Sequence, residues 1–394
     1  MIIFYNPHID DFLGELPYFK VRGRKSTKKY GFLITESLHQ FGNISVIIDG
    51  TASSFIPAVI FSKIPRVFRA LLSEIEFRLW KNINGLTNKV TRIQYEKRDN
   101  SNDALLIFSY NCATGEQLFT ERIPLLESFP IVVAHLSHYF MITAEKSNNL
   151  RKLKNIWLAG DSDISQNDYF KYHFDWYKKN ILVLPFAVDH RFNSNTPFEN
   201  RKNSCIATGT IINLDEERNM LRHKDFQLFF GVNVYHPVRK LIYDLPDNHN
   251  IPITSKINLV RGEVTANRLR NWARKFSASQ KNYFKINFVN EYNAHKFAVI
   301  GEELPGFPAL GSLEAMACGC TLIAQPSYYR GLGLKANTHF IPYDGKIEGI
   351  SYAIDQSQNA KKISKAGQLF IENHFRPEIV YKKWVATIDG LINY

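Results

Sequence analysis

The sequence predicts an α/β protein built of two Rossmann-like domains. Short apolar runs recur along the whole chain, each of strand length and rich in Ile, Val, Leu and Phe, as buried parallel strands are. Segments with apolar residues at helical spacing lie between them, and that alternation calls for parallel sheets covered by helices. A polar stretch over 193–203, with Pro197 and several Asn residues, interrupts the pattern near the middle of the 394 residues. A chain of this length accommodates two domains, and such a stretch reads as the linker between them.

In the first half, residues 1–5 open as a strand. Residues 30–41 read as a helix stopped by Gly42, and 44–48 as the next strand, closed by a turn at Asp49-Gly50. This opening unit has no G-x-G-x-x-G, so the fingerprint of NAD and FAD enzymes is absent. The basic run Arg22, Arg24, Lys25, Lys28 and Lys29 reads either as a solvated loop or as a hold for an anionic acceptor group. Residues 90–97 and 104–108 read as strands around a polar turn at 99–103. Residues 131–134 form a buried strand running into His135 and His138. Histidines at the carboxyl end of a strand lie where open α/β sheets gather ligands. Strands at 155–159 and 181–186 enclose a helix over 168–178.

Residues 55–81 stand apart. Pro65 suits the first position of a helix, and Ile64, Val67, Phe68, Leu71, Ile75 and Leu79 fall on one helical stripe. From Val59 to Lys89, six basic residues (Lys63, Arg66, Arg69, Arg78, Lys81 and Lys89) outnumber Glu74 and Glu76. Two readings are open: a domain helix packed on the sheet through its stripe, or a basic amphipathic helix lying on an anionic membrane surface.

In the second half, 204–208 is a strand followed by Gly209. Residues 226–232 read as the next strand, and His236-Pro237-Val238-Arg239-Lys240 opens a helix, which places Arg239 near a strand's carboxyl end. The Arg-rich segment 259–277 reads as an exposed helix, and 284–289 as a strand or a helix start. Residues 339–342 form a short strand, 347–375 are helical with a break near Gln356, and Arg376-Pro377 starts a last helix over 378–392.

A net charge of +12 favours anionic partners such as a nucleotide or phospholipid head groups. The basic residues are dispersed, with no aromatic-basic recognition motif, so nucleic acid is not expected. Four cysteines (Cys112, Cys205, Cys318 and Cys320) are too scattered for a disulfide scaffold. Cys318 and Cys320 lack a second ligand pair, so no metal site is expected from them. No signal peptide and no membrane span is read, and a reducing cytoplasm fits these features.

The chain is organised around residues 296–325. An apolar strand at 297–300 leads into a loop with Gly301, Pro305, Gly306, Pro308 and Gly311. A short helix over 312–318 follows, stopped by Gly319, and then a strand at 321–324. This layout exposes a helix N-terminus at the end of a buried strand, where backbone N–H groups suit a phosphate. Ser312 is placed as the N-cap and Glu314 in the first turn.

The run Gly306-Phe307-Pro308 followed by Glu314-Ala315-Met316-Ala317-Cys318-Gly319 resembles the donor-site signature of GT-B glycosyltransferases of the family 4 type. The segment Pro185 to Phe192 is similar to the P-x-G-V-D-x-x-x-F stretch that ends their N-terminal domain, with Ala187 where Gly is usual and Phe192 one position early. The resemblance implies two Rossmann-like domains across a cleft: an acceptor-binding domain over 1–192, a nucleotide-sugar domain over 193–375, and a helix over 376–394 crossing back to the first. It implies transfer of a sugar from a nucleotide-diphosphate sugar to a glycan or lipid-linked acceptor, with retention; a bacterial surface polysaccharide or lipopolysaccharide acceptor fits the basic character of the chain and the membrane reading of residues 55–81. The protein would then be cytoplasmic or peripheral on the inner face of the membrane. No cofactor is implied beyond the donor itself, and no metal; Asp161-Ser162-Asp163 lies in the wrong context for a metal-binding D-x-D.

By the same resemblance, Glu314 accepts hydrogen bonds from the ribose hydroxyls. The backbone N–H groups of Leu310, Gly311 and Ser312 take the diphosphate, with Gly306 and Phe307 in the same loop. His135, or secondarily His138, lies near the transferred sugar. The first Glu of the family's E-x7-E motif falls on Gly306 here, so Glu303 fills that role through an insertion. The family's diphosphate-binding Arg and Lys after the first strand of the second domain are missing from Thr210-Ile211-Ile212-Asn213. Arg239 is the preferred substitute, ahead of Arg222, Lys224 and Lys240. The alternatives are a GT-B nucleotide-sugar epimerase or phosphorylase, or a GT-B protein that binds without catalysis.

Overall fold

The structure, a computed structural model, describes residues 2–5, 30–47, 64–93, 103–107, 113, 116–136, 142–212, 224–246, 248–260, 286–304, 306–355 and 358–392. The chain forms two compact units, one of Met1–Pro185 with Val380–Tyr394, the other of Phe186–Ile379.

The first unit runs β1 (Ile2–Tyr5), α1 (Phe32–Phe41), β2 (Ile44–Ile47), α2 (Arg66–Asn84), β3 (Val90–Arg92), β4 (Ala104–Ile107), α3 (Glu116–Glu127), β5 (Ile131–His135), α4 (Ala144–Arg151), β6 (Ile156–Gly160), α5 (Asp168–Phe174) and β7 (Leu182–Val183). Its seven strands are all parallel, in the order β3-β2-β1-β4-β5-β6-β7. The order reverses at β1, the arrangement of a doubly wound sheet. All five residues of β5 are buried, as its unbroken apolar run requires. Gly42 ends α1 in the left-handed conformation, φ 71°, and donates its N–H to the Leu38 carbonyl. Pro65 is extended and immediately precedes α2, one position earlier than expected. α2 is turned with Ser73, Glu76 and Phe77 buried and its apolar stripe outward, so the stripe does not pack it on the sheet.

The second unit runs β8 (Lys202–Ile212), α6 (Lys224–Phe230), α7 (Pro237–Tyr243), β9 (Ile253–Val260), α8 (Phe288–Ala294), β10 (His295–Val299), α9 (Leu310–Ala317), β11 (Thr321–Ala324), α10 (Pro326–Tyr329), β12 (Ile341–Pro342), α11 (Ile347–Asp355) and α12 (Ala360–His374). Its five parallel strands are ordered β12-β11-β10-β8-β9. Cys205 and Ala207 of β8, Phe297 and Val299 of β10, and Ile323 of β11 share one buried cluster with Val238 and Ile242 of α7 and Ile350 of α11.

Two expectations fail in this unit. Residues 226–232 do not form a strand: Phe226 and Phe230 meet one helical turn apart with tilted rings, 4.7 Å between centroids, and Phe226 packs on Tyr235 at 4.6 Å. Leu259 and Val260 close the edge strand β9, paired with Ile211 and Ile212, instead of opening an Arg-rich helix.

A final helix, α13 (Pro377–Ile392), follows Arg376. From Val380 onward it belongs to the first unit, where Trp384 is fully buried and donates its indole N–H to the Pro185 carbonyl at 2.8 Å. Among the described residues no helix is long and apolar enough to cross a membrane. His138, Cys112, Arg222, the basic run 22–29, the turns at 49–50 and 99–102, and residues 55–63 and 261–277 lie outside the described residues.

Candidate active site

The residues from Ile300 to Glu314 are shaped by the carboxyl ends of β8 and β10. After β10 the chain turns at Gly301, φ 70°. Arg239 of α7 reaches under this turn: its Nε donates to the Ile300 carbonyl at 2.7 Å and a terminal N–H to the Thr210 carbonyl at 3.1 Å. A Cβ on Gly209 or Gly301 would lie within 3 Å of the Arg239 side chain, so both glycines make room for it. Arg239 is therefore buried and fastens the ends of two strands, with its charge directly below the loop.

Two carboxylates follow. Glu302 is 4% exposed, and burial raises its carboxyl to about 7, against hydrogen bonds from its own backbone, the nearby charge of Arg239 and the Gln325 backbone. Glu303 lies 3.5 Å from the Nε2 of His236, at the start of α7. The Glu303 N–H donates to the Phe307 carbonyl, and the Gly306 N–H donates to the Glu303 carbonyl at 3.0 Å. Gly306 closes this turn at φ 95°, and Phe307 beyond it is buried.

The helix α9 starts at Leu310, two residues before the expected start, with Ala309 extended at the N-cap and no side-chain cap. Ser312 is thus inside the helix rather than its cap. It is fully buried, its hydroxyl accepts from the Tyr329 O–H at 2.6 Å, and its amide donates to the Ala309 carbonyl at 3.0 Å. The amides at the tip of the helix are those of Leu310 and Gly311, where the dipole favours an anion. Gly311 packs tightly there: a Cβ on it would stand 3.1 Å from Ile300 Cγ2 and 3.2 Å from the Tyr292 hydroxyl. That close approach holds the helix tip against the end of β10.

Glu314 lies in the second turn and is half-buried. Burial raises its carboxyl to about 7; the charge of Arg191 opposes the rise and Asp189 adds to it. Asp189 and Arg191 come from the segment 186–192, which Arg376 fixes by donating to the carbonyls of Val188, Asp189 and Phe192. Val188 N–H also donates to the Phe375 carbonyl at 2.8 Å. Two motifs far apart in sequence are thereby brought together around Glu314. Arg376, which holds the segment in place, went unread as a site residue; its only sequence signal was its position before Pro377.

His135 is placed differently. It is fully buried in the first unit, its Nε2 donates to the Leu184 carbonyl at 2.9 Å, and its ring stacks on Trp384 at 5.3 Å with 9° between planes. Tyr30 meets it edge-on at 5.0 Å and donates its hydroxyl to Asp161 at 2.7 Å. This side chain is committed to the core, not presented at a surface. Among the described residues no group of three or more His, Cys, Asp or Glu could hold a metal ion. The Cys318 thiol is raised to about 12, chiefly by burial, and those of Cys320 and Cys205 are raised further, which makes them inert packing groups.

No family model matches the chain, and no curated protein matches it by sequence. Solved structures do match its fold. HepE of Anabaena, solved with UDP and glucose, aligns with a TM-score of 0.51 at 10% identity over 99% of each chain. The sucrose-phosphate synthase of Thermosynechococcus elongatus aligns with a TM-score of 0.51 at 12% identity, over 100% of this chain and 99% of that one. HepE bound to UDP-glucose gives the same TM-score and coverage. Full-chain likeness to these GT-B proteins, with two parallel-sheet units, makes the fold GT-B.

Proposed function

We propose that the protein is a glycosyltransferase that moves a sugar from a nucleotide-diphosphate sugar to a glycan or lipid-linked acceptor. The observation that carries this is the tip of α9: uncapped first-turn amides at the end of β10, a carboxyl one turn behind them, and Asp189 and Arg191 held beside that carboxyl. The fold is shared with a protein solved with UDP and UDP-glucose.

In this reading the amides of Leu310 and Gly311 take the diphosphate. Negative charge grows on that diphosphate as the glycosidic bond breaks, so donors fixed in advance lower the barrier. Arg239 adds positive charge from below the loop without needing to leave its two carbonyls. Ionised Glu314 accepts from the ribose hydroxyls. Glu303, on the turn closed by Gly306 and Phe307, stands on the side of the transferred sugar. Retention of configuration, and a surface polysaccharide or lipopolysaccharide acceptor, complete the proposal.

A thermal-shift screen against UDP, GDP, CDP and their sugars tests it. One of these should raise Tm, since a ligand at a hundred times its Kd stabilises by about 2.7 kcal/mol. Glu314→Ala should abolish most of that rise. A wild type that no nucleotide stabilises, or a variant that keeps the full rise, sinks the assignment.

A further inference from the structure

A surface helix of a soluble domain turns its apolar stripe toward the core and its polar face to water. α2 does the reverse. Ser73 and Glu76 are 2% and 4% exposed, whereas Val67 is 78%, Phe68 59%, Leu71 57%, Ile75 45% and Leu79 41% exposed. Val67 and Phe68 lie four and three residues before Leu71, and Ile75 and Leu79 follow at steps of four, so the five form one continuous strip along the 19-residue helix. Single exposed apolar side chains are ordinary, but a contiguous strip marks an interaction surface.

The charges beside the strip decide what it meets. Arg78 is exposed, Lys81 is half-buried with its ammonium 4.9 Å over the Phe77 ring, and Lys89 is exposed just beyond the helix. Of the two acidic residues, Glu76 is buried, and Glu74 is paired to Arg78 at 2.8 Å and Arg92 at 3.1 Å. The face thus offers aliphatic and aromatic groups edged by cations, on a chain of net charge +12. A second copy of the same face would bring like charges together.

We infer that this face of α2 docks on an anionic lipid bilayer. The strip enters the boundary between head groups and acyl chains, and the cations lie among the head groups. α2 supplies no residue of the candidate active site, so this inference and the donor reading fail separately.

The test is co-sedimentation of the full-length protein with vesicles of phosphatidylcholine alone and of equal parts phosphatidylcholine and phosphatidylglycerol. The protein should bind the anionic vesicles, not the neutral ones, and added salt should weaken binding. The variant F68S/L71S/I75S should bind about a hundredfold more weakly, and K81Q/K89Q about tenfold more weakly. Tm of the triple variant should stay within about 2 °C of wild type. Four results would overturn the inference: no binding to either vesicle, equal binding by wild type and triple variant, a wild-type dimer that the triple variant dissolves, or a Tm loss above about 5 °C, which would mean that protein covers the strip in solution.

Discussion

The carboxyl end of β5 in the first unit and that of β10 in the second start from the same topology and end in opposite chemistry. Each is a buried central strand of a parallel sheet, where ligands are expected. At β5 the strand end is filled: His135 spends its Nε2 proton on Leu184, stacks on Trp384 and meets Tyr30. At β10 the strand end is kept polar, with a glycine turn, two buried carboxyls and a helix tip whose first amides have no side-chain cap. A strand end therefore stays polar only where no apolar side chain of the fold packs into it. At β5 that side chain comes from the last helix of the chain, and at β10 the loop geometry holds side chains back.

The largest expected effect breaks this contrast from the β5 side. Trp384→Ala removes a fully buried indole, its bond to Pro185 and the ring beneath His135. It should cost about 3–5 kcal/mol in the denaturant transition of the first unit, while nucleotide-dependent stabilisation of the second unit persists. His135→Ala should follow at about 2–4 kcal/mol. If His135→Ala kept full stability and lost sugar transfer, the histidine would act in chemistry rather than in packing, and the contrast would collapse.

The next effect probes the polar side. The Glu302 carboxyl is raised to about 7 in the folded protein from an ordinary value of 4.5. Below that ordinary value both folded and unfolded states hold the proton. Between the two values the unfolded chain releases it and the folded chain keeps it, so stability falls as pH rises, and it levels off above the folded value. The full cost of ionising this buried carboxyl is about 3 kcal/mol. Glu302→Gln should therefore stabilise the protein at alkaline pH by up to that amount and leave it unchanged at acid pH, as read by denaturation across the range. A variant with the same pH slope as wild type would show that Glu302 is not the group responsible.

Much of this fold was legible because many of its strands, such as β1, β5 and β11, are short apolar runs and several of its helices are followed by a left-handed glycine, as at Gly42 and Gly85. The errors fall where short-range pattern underdetermines structure. Residues 226–232 carry an apolar run too short to separate strand from helix, and the Phe226–Phe230 turn settles it as helix. β9 alternates apolar and polar residues as an edge strand does, and its end merged with the Arg-rich run beyond. At the site, the strand, the glycine loop and the helix after it could be read from the residue pattern, while Glu314 falls one turn deeper in that helix than expected. The place of Ser312 could not be read: its hydroxyl is taken by Tyr329, a partner from the next helix, so the helix starts earlier without it. The packing of His135 could not be read either, since the sequence near it gives no hint of Trp384. Arg239 was placed at the end of a strand over 226–232 that is a helix; its two hydrogen bonds to the Ile300 and Thr210 carbonyls depend on Gly209 in β8 and on Gly301 just beyond β10.

The smallest effect sharpens the account of Glu314, and it rests on the proposed nucleotide site. An ionised carboxyl accepts from two ribose hydroxyls at once and more strongly than a protonated one, and burial raises this one to about 7, so nucleotide stabilisation should grow as pH rises through about 7. Asp189 pushes the Glu314 carboxyl up and Arg191 pulls it down. Removing each neighbour should move the midpoint in opposite directions: Asp189→Asn downward and Arg191→Gln upward. Arg191 is exposed and its field is screened, so at slightly acid pH the two variants should bind nucleotide only about two- to threefold more tightly and more weakly, respectively, than wild type. In a Glu314→Gln background neither substitution should change affinity. Shifts of the same sign, or shifts that survive in that background, would mean that the segment 186–192 touches the nucleotide directly instead of tuning the carboxyl behind it.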